Sequence, residues 1–302
     1  MSLSQKSKSI VMPVGLIIGI LSGVLIPEIV VPANESIPYF IALMLLTTYS
    51  KLDFKEIKVS RMPVFMIIFQ YIVSILSFLA LYYWNPLFAQ QAFICLICPV
   101  ATSAPVIALM LGANIAVLVS FTLISYVAIA GLAPFLLPLV GGTQGGVPFL
   151  ATSWMIARQI IPLIILPLIL AYFFKKYLPK ADSFLQKNHG ISFYLWSVTL
   201  VLVIGKATTF VLAQPSDMIP VEIGLASISL VACVFQFAVG HVIGSRYDNK
   251  VVGTQGLGQK NTAIAMWLAF EYLNPLVSVG LAAYSVWQNI INSTQIYLKG
   301  RS

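Results

Sequence analysis

A helix needs about 20 apolar residues to cross ~30 Å of hydrocarbon. In this chain such runs follow one another from end to end, at residues 10–26, 37–49, 62–84, 87–111, 115–140, 147–174, 191–213, 219–243, 251–272 and 275–297. Inside lipid only a helix or a closed barrel satisfies its own backbone groups, so runs of this length read as roughly ten helices. Composition agrees, with 59% of the 302 residues hydrophobic and 9% charged, where a soluble domain is about a quarter charged. The fold class is an all-α polytopic membrane protein. The first run follows Lys6 and Lys8 but has no small-residue cleavage site after it, so it reads as a span and not as a signal peptide. Its Gly15, Gly19 and Gly23 repeat at the GxxxG spacing that lets a second helix approach closely.

A formal charge of +8 raises the question of a nucleic-acid partner, but the basic residues have another explanation. Apart from Arg158, Lys206 and Lys260, the Lys and Arg residues, 14 of the 17, sit at the two ends or in alternate loops: Lys51, Lys55, Lys58 and Arg61, then Lys175, Lys176, Lys180 and Lys187, then Arg246 and Lys250. The positive-inside rule then puts both termini in the cytoplasm with an even number of spans, and a bacterial inner membrane is the expected location. Cys95, Cys98 and Cys233 all fall in apolar segments, where packing accounts for them better than redox chemistry does. His189 and His241 are expected at the cytoplasmic interface.

The sequence "GGTQGG", residues 141–146, lies near the midpoint with about five spans on either side. An odd number of spans per half makes the second half enter the membrane from the opposite face, which is the arithmetic of an inverted repeat, here 1–140 and 147–302. The fourth run of each half is interrupted: "CPVATSAPV" at 98–106 carries two prolines, and "GTQGLGQKNT" at 253–262 carries three glycines. Proline removes a helix donor and glycine weakens a helix. Paired interruptions at matching places in two halves point to a transporter's binding site.

With these two segments, "LMLLTTYSKLDFKEI" at 43–57 and "VWQNIINS" at 286–293, the chain resembles the bile acid:sodium symporter family over nearly its whole length. The resemblance implies a panel domain from helices 1, 2, 6 and 7 and a core domain from helices 3–5 and 8–10. Broken helices four and nine would cross in the core, and substrate would bind beside the crossing in a crevice between the domains. It places Thr102, Ser103, Pro105, Asn261, Thr262, Gln288 and Asn289 near substrate, Lys206 as a possible panel-side cation, and Gln70, Thr122, Gln259 and Lys260 at the crossing. Arg158 is expected to snorkel to an interface.

The family binds sodium at the crossing, and several of its ligand positions are changed here. They fall on Ala104, Pro105, Leu118 and Gly256, the last where relatives keep a glutamate, and Lys260 stands where they keep a glutamine. All nine acidic residues lie in loops or near span ends, while two unit charges about 4 Å apart repel by roughly 4 kcal/mol at an effective dielectric near 20. Both sodium sites are therefore expected to be lost, with no metal or other cofactor. A lysine at the bilayer centre costs at least ~2.5–3.5 kcal/mol on insertion scales. Three roles stay open for Lys260: its ammonium replaces a bound cation, it gains and loses a proton during transport, or it snorkels into a water-filled cavity and merely attracts anions.

The expected function is alternating-access transport of a small organic anion, independent of sodium. The alternatives are a proton-coupled symporter or exchanger that uses Lys260, and a non-transporting receptor on the same fold. An enzyme is not expected, since no acid lies in mid-span and no histidine lies near a broken helix. Expected partners are the substrate anion, the bilayer and, under the second mechanism, H+, with no nucleic acid.

Overall fold

The computed structural model describes residues 5–50, 60–101, 103–113, 116–142, 147–188 and 190–299, and among these every regular element is helical. Thr102, His189, the basic positions Lys51, Lys55, Lys58 and Arg301, and the acidic Asp53 and Glu56 lie outside them. The chain divides into two compact units. One comprises Met1–Leu52 and Gln159–Met218, the other Asp53–Arg158 and Ile219–Ser302.

The first unit holds α1 (Gln5–Leu25), α2 (Pro27–Ala33), a 3₁₀ turn (Asn34–Ser36) and α3 (Ile37–Tyr49). It also holds most of α8 (Phe149–Tyr177), then α9 (Pro179–Lys187) and α10 (Gly190–Leu212). The apolar run at 37–49 is short for a span. The structure lengthens it, because α2, the turn and α3 together form a stretch of 23 residues from Pro27 to Tyr49. Pro27 suits the first turn of a helix, where its missing N–H would be unpaired anyway. Asn34 is held by donating to Val30 O at 2.8 Å and Leu202 O at 2.9 Å. The glycine stripe of α1 faces α10: a Cβ on Gly19 would stand 2.8 Å from Ile204 Cβ, and one on Gly23 would meet the Gly205 carbonyl. Thr209 Oγ1 donates to Gly23 O across the same seam at 2.9 Å.

The second unit is built from α4 (Arg61–Tyr82), α5 (Pro86–Ile97), α6 (Ala104–Met110), α7 (Ala116–Gly141), α11 (Ile219–Ser245), α12 (Lys250–Gly258), α13 (Thr262–Tyr272) and α14 (Val277–Lys299). Asn85 caps α5, accepting from Leu87 N at 2.9 Å and Phe88 N at 3.3 Å, with Pro86 behind it. Helix α4 packs on α5 and α7, and α11 packs on α12 and α14.

The three glycines of "GTQGLGQKNT" do not break the helix. Gly253, Gly256 and Gly258 all lie inside α12. Gly253 lets α12 touch α11, since a Cβ there would fall 2.8 Å from Gly244 Cα and on the Gly240 carbonyl. The interruption is narrower than its composition suggests and covers only residues 259–261.

Candidate functional site at the crossing of two interrupted helices

Helix α5 ends at Ile97 and α6 begins at Ala104; α12 ends at Gly258 and α13 begins at Thr262. The extended backbones between them meet in an antiparallel bridge that pairs Val100 with Lys260. Ala101 N donates to Gln259 O at 3.0 Å, and Asn261 N donates to Pro99 O at 2.9 Å. Where two helices are both opened inside an apolar core, the freed backbone groups have no water to turn to, and here each break supplies partners for the other.

Side chains complete the pairing. Ser125 Oγ on α7 accepts from Val100 N at 3.3 Å. Gln288 on α14 accepts from Lys260 N at 2.9 Å and donates back to Lys260 O at 3.3 Å. Gln70 on α4 donates to Ile97 O at 2.7 Å and Cys98 O at 3.1 Å, closing the C-terminal end of α5. Tyr284 OH does the same for α12 by donating to Gly258 O at 2.9 Å, and itself accepts from Gln236 Nε2 at 2.9 Å. Asn261 caps α13 through Ile264 N at 3.3 Å and donates to Tyr126 OH at 2.8 Å.

Lys260 is only 2% exposed. Its peptide is pinned on both sides, yet its Nζ has no hydrogen-bond partner among the described residues. An amide chain runs from the crossing toward the end of α14: Ser103 Oγ donates to Gln259 Oε1 at 3.2 Å, Gln259 bonds to Gln255, and Gln255 Nε2 donates to Gln295 Oε1 at 2.6 Å.

The residues singled out by sequence are thus partly gathered. Gln70, Gln259, Lys260, Asn261 and Gln288 meet at the bridge, and Thr262 accepts from Ser285 Oγ at 2.6 Å beside it. Ser103 is exposed and Pro105 half-buried. Pro105 is the second residue of α6 and not its first. Thr122 and Asn289 spend their hydrogen bonds within their own helices, on Leu118 O at 2.8 Å and Ser285 O at 2.7 Å. Ala104 and Leu118 are buried in an apolar cluster with Met66, Val100 and Phe121. Gly256 opens on the same cluster, for a Cβ there would lie 2.8 Å from Met66 Cε and 3.0 Å from Phe121 Cδ1. Lys206 is half-buried on α10 in the other unit, Arg158 is exposed on α8, and exposed His241 lies 3.5 Å from Thr254 Oγ1. Sequence reading did not single out Ser125, Tyr126, Gln236, Gln255, Tyr284 and Gln295. Their one signal is a polar atom inside an apolar run, a signal shared with many hydroxyls that only bond their own helix.

The fold and the crossing define an integral, multi-pass helical membrane protein. Six helical stretches among the described residues are long and apolar enough to cross a bilayer, from Pro27–Tyr49 to Ser216–Ser245, and Val14–Leu25 and Pro86–Ile97 are shorter apolar ones. No protein-family model matches the chain, and no curated protein matches it significantly.

Proposed function

We propose that the protein is a secondary transporter of a small organic anion, working by alternating access on the plan of the bile acid:sodium symporters but without sodium, with Lys260 supplying the positive charge at the crossing. The observation that carries this reading is the bridge itself: two opened helices joined back to back, with an unpartnered lysine at the join. An ammonium held in a protein core without a counter-charge costs several kcal/mol. A substrate carboxylate about 4 Å away would offset roughly 4 kcal/mol of that at an effective dielectric near 20. The N-terminus of α13, two residues on, adds about half a positive charge.

Three further features support the reading. The division into Met1–Leu52 with Gln159–Met218 and Asp53–Arg158 with Ile219–Ser302 is the one a panel and a core would have. The matching packing of α4 on α5 and α7, and of α11 on α12 and α14, suits two inverted repeats. Ala104, Leu118 and Gly256 border Met66 and Phe121, whose side chains carry no oxygen for a hard cation such as sodium.

One observation favours a second mechanism on the same scaffold. Lys260 Nζ has no acceptor for its protons in this conformation, and a lysine that gains and loses a proton during the cycle would couple transport to H+. Uptake by purified protein in liposomes separates the readings. A panel of carboxylates is offered with sodium or choline outside, with and without a pH gradient. Uptake is expected to be equal in sodium and choline and at least ~10-fold lower in Lys260→Gln, the loss that 1.4 kcal/mol of charge stabilisation represents. A strong requirement for sodium would overturn the proposal, and a pH-gradient effect abolished in Lys260→Gln would favour the proton mechanism.

A further inference from the structure

Helix α9 joins α8 to α10, the first of them a span and the second containing one, so it lies where the chain turns at a membrane surface. One side of α9 is docked on its own unit. Asp182 is buried there, and its Oδ2 accepts from Gln186 Nε2 at 2.8 Å, which also donates to Ser50 O at 3.2 Å. Positions 180, 184 and 187 follow the helical period and share the other side. Lys180, Phe184 and Lys187 are all exposed there, and with Ser183 and Asn188 they line a shallow recess.

This face is built for one kind of surface. It has two cations about two turns apart and a bare phenyl ring between them, 60% exposed. The one acid of α9, Asp182, is turned inward. The end of α8 continues the pattern, with Lys176 Nζ 5.0 Å above the Tyr177 ring and both Tyr177 and Leu178 exposed. Water alone gives no reason to present Phe184 and Leu178, and hydrocarbon gives none to present the lysines. The boundary between them accommodates both, with the apolar groups at the acyl level and the ammonium groups among headgroup phosphates.

We infer that the outer face of α9, from Lys180 to Lys187, binds the phosphate headgroups of anionic phospholipids in the leaflet where α8 ends. The site is independent of the transport reading, since none of its residues belongs to the crossing. The test uses full-length protein in nanodiscs of phosphatidylcholine alone or of phosphatidylcholine mixed with phosphatidylglycerol, and measures retained lipid by native mass spectrometry and amide exchange in α9. The wild type is expected to retain phosphatidylglycerol in preference to phosphatidylcholine, to protect α9 only in its presence, and to lose both effects with rising salt. In Lys180→Gln/Lys187→Gln the preference should fall by about tenfold or more, since each surface cation is worth about a factor of five. Each single variant should lose part of it, and Arg246→Gln, elsewhere in the chain, less than either. Unchanged preference in the double variant would overturn the inference, as would equal protection of α9 by inorganic phosphate alone.

Discussion

The two interrupted segments, described at 98–101 and at 259–261, have nearly the same backbone solution and opposite side chains at its centre. In each, the bridging residue's N–H is taken by the helix that follows in its own half: Val100 by Ser125 on α7, Lys260 by Gln288 on α14. In each, the end of the preceding half-helix is closed by a side chain from the unit's core, Gln70 at Cys98 O and Tyr284 at Gly258 O. Yet Val100 joins the apolar cluster around Met66 and Phe121, while Lys260 brings an amine with no partner. The crossing as a backbone structure therefore does not need the lysine, since its counterpart performs the same backbone role with a valine. A charged residue kept where an apolar one suffices for folding is what function, and not stability, would select.

The strongest way to break this asymmetry is to make both sides cationic. Val100→Lys would place a second ammonium opposite the first across a bridge whose side chains stand ~5 Å apart. Repulsion of roughly 3 kcal/mol at an effective dielectric near 20 adds to the cost of burying another unpaired charge. Expected is loss of folded protein, read as aggregation on size-exclusion chromatography in detergent, where Val100→Leu elutes as wild type. The opposite change makes both sides apolar. Lys260→Met should raise thermal stability by about 1–4 kcal/mol, as removal of a buried charge in favour of a hydrophobe does, while abolishing anion uptake. Melting and liposome uptake measured on the same preparation decide the matter. If stability falls with activity, the lysine is part of the scaffold and the comparison with Val100 misleads.

The interruptions themselves are legible in the sequence because proline and polar clusters stand out in apolar runs, but the glycines are not what opens the second one. Gly253 and Gly256 sit within α12 to admit α11, Met66 and Phe121, a packing role that no local signal separates from helix breaking. The span before α4 looks short in the sequence because Pro27, Pro32, Asn34 and Glu35 dilute its apolar run, although proline suits a first turn and Asn34 finds carbonyl partners at Val30 and Leu202. The pairing of Val100 with Lys260 joins residues far apart in the chain, and no periodicity encodes a contact of that kind. The resemblance points to Gln288 and Asn289 together; only the first reaches the crossing, since one helical step of 100° turns the second toward the Ser285 carbonyl of its own helix.

The two supports, Ser125 and Gln288, are expected to differ in their effect on uptake and not on stability. Ser125 takes the N–H of Val100 at 3.3 Å, whereas Gln288 takes the N–H of Lys260 at 2.9 Å and is a second donor, at 3.3 Å, to a carbonyl that Thr262 N already serves at 2.9 Å. A buried group left unsatisfied costs about 1–3 kcal/mol. Each variant leaves one buried N–H unpaired, so Gln288→Leu, close in volume, and Ser125→Ala should destabilise by similar amounts, about 1–3 kcal/mol. Because Gln288 fixes the peptide that carries the ammonium, its loss should also weaken anion uptake beyond what stability explains, while Ser125→Ala should leave uptake near wild type. Thermal melts and uptake at matched protein levels measure both. Equal effects of the two variants on uptake would mean that the crossing responds as one rigid piece, and that the position of the charge at Lys260 is not held separately by α14.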